Sequence, residues 1–465
     1  IVIGCVIKVF VQVELGRQAI ASARGTMASL AEVPGPTLAI SVTGRPGSMV
    51  AAGNWLIWYY LIMLAFSLGQ LGGIVGGVGQ ALAISMPITE SGRAYNREVE
   101  DRTRRVIEKH ELGMAGGVQV ELDALDRRIR QHATKIEGMR DQVADHKMWA
   151  TLVALVTSIL LVAGRYRLIQ AASAIFVAIF TLVTMVNLLL LQGNATYAVT
   201  LSELIDGIRF RLPPRGDLPG MNPVAVALAT FGIIGVGAGE LIAYPYWCLE
   251  KGYARATGRP DGTREWAERA RGWLRVMRWD AWCSMFVYTF ATVAFYLLGA
   301  AILGRIHLVP SGTEMIRTLA IMYEPVFGSW APPLFLFGAF AVLYSTFFVA
   351  NAAHARVLSD TLSTLGIADR SEGAHQRRVR WLSGLLPFVC LTVYLGFPQP
   401  AKLVLASGVM QALMLPMLAA AALYFRYRRC DPRIAPGRVW DLLLWLSALG
   451  MLLAGAWLTW TLVAP

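Results

Sequence analysis

The sequence predicts an all-α, polytopic membrane protein. Hydrophobic residues make up 56% of its 465 residues and charged residues only 15%, whereas soluble domains carry about 25% charged residues. Mean hydropathy is +0.52. Apolar runs repeatedly reach the ~20 residues that cross a bilayer as a helix. A transmembrane β-barrel would instead show alternating segments of ~10 residues. The same figures exclude an ordinary soluble protein and a disordered chain. No nucleophile elbow, Walker loop, HExxH motif or carboxylate pair is present, so an enzyme is not expected.

Ten hydrophobic spans lie near 1–23, 53–86, 148–164, 168–192, 223–248, 281–304, 330–353, 380–397, 400–425 and 439–462. The first carries Lys8, Gln12, Glu14 and Arg17. Lys8 and Glu14 are six residues apart and meet only loosely on one helix. The second is long and glycine-rich, with Gly69, Gly72, Gly73, Gly76, Gly77 and Gly79 beside Gln70 and Gln80, and reads as a close-packing span. The seventh holds Tyr344, Ser345, Thr346, Asn351 and His354, the last read as a solvated or capping histidine. The ninth is interrupted by Met410, Gln411, Met414, Pro416 and Met417.

The net charge of +12 points to basic cytoplasmic loops rather than to nucleic acid, because no nucleic-acid-reading motif accompanies it. Residues 250–280 hold eight basic and five acidic side chains, 356–380 five and three, and 426–441 five and two. The turn Gly164-Arg165-Tyr166-Arg167 adds two more basic residues on the same side. This side is assigned to the cytoplasm of a multi-pass protein of the plasma (inner) membrane. The five cysteines are scattered and suggest neither a disulfide framework nor a zinc site.

Residues 88–147 hold twelve basic and twelve acidic residues, and alternation places them on the non-cytoplasmic side. Leu122, Ile129, Ile136 and Val143, with Leu125, His132, Met139 and His146, form a short seven-residue seam. Residues 114–117 read as the turn of a helical hairpin.

The fifth span is read as the chemistry-bearing stretch, the alternative being glycines that only allow close helix packing beside a Glu240 paired with an internal donor. Gly235, Gly237 and Gly239 alternate before Glu240, and Pro245 follows. Repeated glycine weakens a helix. An unwound mid-membrane segment frees carbonyls that bind a cation, and a carboxylate inside a span needs a partner, a proton or an ion.

Lys8, Gln12, Glu14, Gly16 and Arg17, continuing to Pro34, Gly35 and Pro36, resemble the second helix and following loop of the Nramp family of divalent-metal transporters. The Gly164–Arg167 turn, Leu334 and Phe335 with Gly338 and Ser345, and Leu415-Pro416 resemble later helices in the same order. The resemblance covers nearly the whole chain apart from residues 88–147. It implies a LeuT-like inverted-repeat fold, with about ten helices present and the first transmembrane helix of the family lying upstream of the sequence.

In that frame residues 1–87 hold membrane helices of the first repeat, 88–147 a non-cytoplasmic helical hairpin and 148–192 the remaining first-repeat helices. Residues 193–222 form an external loop, 223–425 the second repeat and 426–465 an extra C-terminal helix. Gly237, Ala238 and Gly239 stand where the family has Met-Pro-His, with Glu240 following. Gln70 stands for a proton-route aspartate and Met414 for a substrate-contacting glutamine.

The resemblance implies a secondary transporter that moves a divalent cation of the Mg, Mn or Fe class by alternating access, coupled as a symporter and without a resident cofactor. Its metal site would be Glu240 with Gly237, Ala238 and Gly239. Gln70, Tyr244, Ser345, Gln411 and Met414 would lie on the transport path, and Tyr244 or Tyr246 would close the cavity. Its partners are the bilayer and the metal. The alternatives are a LeuT-like transporter of a small organic solute, such as an amino acid, and a non-transporting membrane sensor.

Overall fold

The computed structural model describes residues 1–41, 50–140, 142–164, 166–209, 223–310 and 312–463. Arg165 of the basic turn and residues 210–222 of the expected external loop lie outside the described residues. Helix α1 (Val2–Ser22) is followed by a short α2 (Thr26–Leu30) and an antiparallel strand pair, β1 (Thr37–Ser41) and β2 (Val50–Asn54), in register Thr37 to Asn54. This pair is an addition to the all-α reading. Then come α3 (Trp55–Ser85), α4 (Glu90–Met114), α5 (Gln119–Arg140), α6 (Asp145–Val162), α7 (Tyr166–Leu191) and α8 (Leu201–Ile208). The rest comprises α9 (Pro223–Ile233), α10 (Ala238–Glu250), α11 (Tyr253–Thr257), α12 (Arg264–Leu298), α13 (Met315–Ala320), α14 (Glu324–Phe327), α15 (Ala331–Thr364), α16 (Glu372–Gly396), α17 (Pro400–Tyr424) and α18 (Arg438–Val463).

Among the described residues, nine helical segments are long and apolar enough to cross a membrane, α9 and α10 counting as one of them. Helix α1 is not among the nine, yet fourteen of its 21 residues are buried, including Lys8, Glu14 and Arg17. It runs inside the bundle against α10, α12 and α18. Glu14 and Arg17 are tolerated there because they are paired. Arg17 bonds both carboxylate oxygens of Glu14 at 3.1 Å and the Ile434 carbonyl at 2.7 Å. The Trp440 indole donates to Glu14 at 2.6 Å.

Helix α3 is the packing axis, touched by α6, α15, α16 and α17. A Cβ on Gly72 would stand 2.7 Å from the Cys390 carbonyl, one on Gly73 2.7 Å from that of Pro400, and one on Gly79 2.3 Å from that of His146. Three backbones therefore lie directly on this helix, which only glycine permits.

Helices α4 and α5 pair as a hairpin, burying Tyr95, Val99 and Ile136 against Met139 and Val143. Asp145 at the start of α6 accepts from Ile88 N–H at 2.7 Å and from the Thr89 hydroxyl at 2.6 Å, and Thr89 caps α4. The hairpin reaches the core through Arg102–Glu314 at 3.1 Å and Arg317–Asn96 at 3.0 Å.

Candidate functional site

The fifth span is broken. Helix α9 ends at Ile233 and α10 begins at Ala238. Gly235 turns the chain with φ of +70°, a region that strongly favours glycine. Cys5 and Tyr288 close around it, 2.8 and 2.7 Å from where a Cβ would stand.

Helix α17 fixes what faces the break. A Cβ on Gly232 would lie 2.1 Å from the Gly408 carbonyl, and one on Gly408 2.6 Å from that of Ala229. This crossing brings Gln411 to the first turn of α10. Gly239 N–H donates to Gln411 Oε1 at 3.2 Å. Gln411 Nε2 donates to Gln70 Oε1 at 2.8 Å and to Ser407 Oγ at 3.1 Å, and Ser407 Oγ donates to Gln70 Oε1 at 2.9 Å. Two residues 341 positions apart, Gln70 and Gln411, thus join one polar chain that ends on α10.

Oxygens converge over Gly237. The position a Cβ would take there lies 2.4 Å from Gln411 Oε1, 2.6 Å from Glu240 Oε2 and 3.3 Å from the Gly232 carbonyl oxygen. Glu240 is exposed, whereas Gly237, Ala238, Leu241 and Ile242 beside it are buried. The side chain therefore keeps accessible surface, although it lies deep among the helices that surround the break. It sits in the first turn of α10, where unpaired amides and the helix dipole favour negative charge.

The expected free carbonyls at 237–239 need correction. Leu241 N–H donates to the Gly237 carbonyl at 3.0 Å. Ala238 and Gly239 already belong to α10, so their carbonyls point into its own hydrogen-bond ladder. The carbonyls presented at the break lie at the end of α9, where Lys8 Nζ donates to Ile234 O at 2.8 Å and to Phe231 O. Lys8 is also close enough to Glu240 to interact with it electrostatically.

Of the other expected residues, Met414 packs beside this centre without facing it as a donor, and Tyr244, Ser345 and Tyr246 lie apart from it. Met414 is fully buried among Val236, Ala238 and Leu241 in the apolar core. Tyr244 turns to α12, its hydroxyl donating to Asp280 at 3.1 Å. Ser345 donates to the Val342 carbonyl of its own helix at 2.8 Å. Tyr246 reaches Asp360 and accepts from Met27 N–H at 3.3 Å. It lines a cleft of about 1080 Å³ with Arg24, Arg356 and His375.

The reading of His354 as a solvated or capping histidine needs correction, because the structure buries it beside the break. It is 9% exposed, and its Cε1 lies 3.8 Å from the position a Cβ on Gly239 would occupy. The signal available was its i, i+3 spacing from Asn351 in an apolar span. Among the described residues, no three His, Cys, Asp or Glu side chains converge on a metal-sized point; the cradle combines a carboxylate with amide and backbone oxygens.

No curated protein matches the chain. Among solved structures it is similar to a mutant of the manganese transporter of Eremococcus coleocola. The identity is 14% and the TM-score 0.57, over 98% of this chain and 78% of that one. That likeness gives a LeuT-like helical membrane fold. The Nramp family model, described as natural resistance-associated macrophage protein-like, matches residues 141–461. A broken helix packed on α17, the shared fold and a match over more than half the sequence agree: the chain belongs to the Nramp family.

Proposed function

We propose that this chain carries a divalent metal cation of the Mg, Mn or Fe class across the membrane by alternating access. The observation that supports this reading is the oxygen cradle over Gly237. A carboxylate, an amide and a backbone oxygen (Glu240 Oε2, Gln411 Oε1 and Gly232 O) gather on one side of Gly237, and these are the hard donors that Mg²⁺, Mn²⁺ and Ca²⁺ prefer. Glu240 supplies the charge and Gln411 a carbonyl dipole, while Gln70 and Ser407 hold the amide in that orientation. The break lets α9 and α10 tilt separately around the cradle, as in transporters with discontinuous helices. Family membership and the manganese-transporting neighbour support the same class of cargo.

The second reading, a small organic solute, draws on Lys8. An ammonium fills the carbonyl end of the break, and a helix N-terminus stands opposite, an arrangement suited to a solute carboxylate. Glu240 weighs against it by like-charge repulsion.

Uptake by the full-length protein in liposomes separates the two. Mg²⁺, Mn²⁺ and Cd²⁺ are compared with a panel of amino acids, in native protein and in Glu240→Gln. The metal reading requires divalent uptake that falls roughly 10–100-fold in the variant. Amino-acid uptake without metal uptake, or metal uptake indifferent to Glu240→Gln, defeats it.

A further inference from the structure

We propose that Lys8 is a built-in monovalent cation: its ammonium fills a cation site at the carbonyl end of α9, and removing it opens that site to Na⁺ or K⁺. Lys8 has no solvent exposure. Its Nζ donates to Ile234 O at 2.8 Å and to Phe231 O, and lies 4.8 Å from the Phe231 ring centroid. Carbonyl oxygens, the negative end of a half-helix and an aromatic face each attract a cation. The surroundings are shaped to keep the charge there. Gly4, one turn away on α1, leaves room for the Phe231 ring, which lies 3.0 Å from where its Cβ would stand. The left-handed turn at Gly235 ends α9 in the orientation that presents both carbonyls.

Position distinguishes Lys8 from the other buried charges of α1. Glu14 and Arg17 neutralise one another through paired hydrogen bonds. Lys8 instead spends its hydrogen bonds on backbone carbonyls across the bundle. A free monovalent ion held by carbonyls at a broken helix leaves and returns during transport, whereas a tethered ammonium cannot leave. The native protein therefore needs no Na⁺ or K⁺ at this point, because the cation that fills it is part of α1. The inference stands whether the cargo is a metal or an organic solute.

The test reads binding to the α9 carbonyls and needs no transport. Full-length native protein, Lys8→Ala and Lys8→Ser are purified, and their melting temperatures are measured in NaCl, KCl and choline chloride at matched ionic strength. The native protein should melt alike in all three salts. Each variant should melt lower than native in choline and regain roughly 2 °C or more in Na⁺ or K⁺, saturating with concentration. Variants that fold in NaCl or KCl but not in choline would also support the site. Three results overturn it: variants with no ion-specific gain, a native protein with the same gain, and variants that fail to fold in every salt, because Na⁺ in the vacated carbonyls should restore them.

Discussion

Gly232 on α9 and Gly408 on α17 cross so closely that a Cβ on the first would stand 2.1 Å from the carbonyl oxygen of the second. This contact sets where Gln411 meets the break. Because the obstacle is backbone, neither helix can yield locally. Gly232→Ala should destabilise the protein by about 1–3 kcal/mol, the usual cost of overpacking. Gly373→Ala, with nothing within 4 Å of its Cβ position, should be neutral or slightly stabilising. Thermal melts of the two purified variants decide it; equal melting temperatures would mean that the crossing is not a constraint.

How much of this was legible in the sequence depended on range. The alternation of Gly235, Gly237 and Gly239 read as a break, and the helix does end at Ile233 and resume at Ala238. The glycines of α3 read as packing positions, and three neighbouring backbones lie on them. These signals are local, because glycine weakens a helix wherever it stands. The partners of Lys8 were not legible. Spacing rules weigh Lys8 only against its own helix, whereas its carbonyls lie 223 and 226 residues away. The same distance hid the pairing of Gln70 with Gln411. Local reasoning also misjudged the carbonyls at 237–239, since it could not say on which side of the break the helix would restart. The strand pair β1–β2 went unseen because its five-residue strands sit inside apolar sequence that reads as the approach to a span.

The cradle itself can be filled. Gly237 has φ −79° and ψ 176°, a conformation alanine adopts without strain. The atoms nearest its Cβ position are the ends of the Gln411 and Glu240 side chains, which can swing aside. Gly237→Ala should therefore fold and melt within about 1 kcal/mol of native, yet lose divalent-cation binding roughly 10–100-fold. Calorimetry with Mn²⁺ on purified protein checks this, and native-like affinity would remove the cradle from the site.

The hairpin has its own pH dependence. Glu98 lies 2.7 Å from His132 Nδ1 and 3.4 Å from Lys135 Nζ. The hydrogen bond with His132, assisted by Lys135, holds its carboxyl below the ordinary 4.5. A depressed carboxyl stabilises the fold above its unfolded value and loses that contribution as pH falls through the folded one. Glu98→Gln should thus weaken the α4–α5 pair at neutral pH by less than about 1 kcal/mol, as expected of a partly exposed pair. The difference from native should vanish below the depressed value. Hydrogen exchange of residues 90–140 at several pH values reads it, and a difference that persists in acid would contradict the assignment.

Loop contacts sort the connections onto two faces, and the charge of those faces predicts the membrane orientation. Arg433 donates to the Thr263 carbonyl at 2.8 Å, and Arg429 pairs with Glu32 at 2.9 Å, so the loops after α2, α11 and α17 share one face. Arg102 with Glu314 at 3.1 Å, and Arg305 with Glu203 at 2.8 Å, gather the hairpin, the start of α8 and the segment after α12 on the other. The first face carries the basic excess, with eight basic and five acidic residues in 250–280 alone, and basic loops remain cytoplasmic. Ala115 and Pro260 are exposed, one on each face. In a variant with Cys283 replaced, Ala115→Cys should react with an impermeant thiol reagent in intact cells, and Pro260→Cys only after permeabilisation. The reverse pattern would invert the membrane orientation and put the hairpin inside the cell.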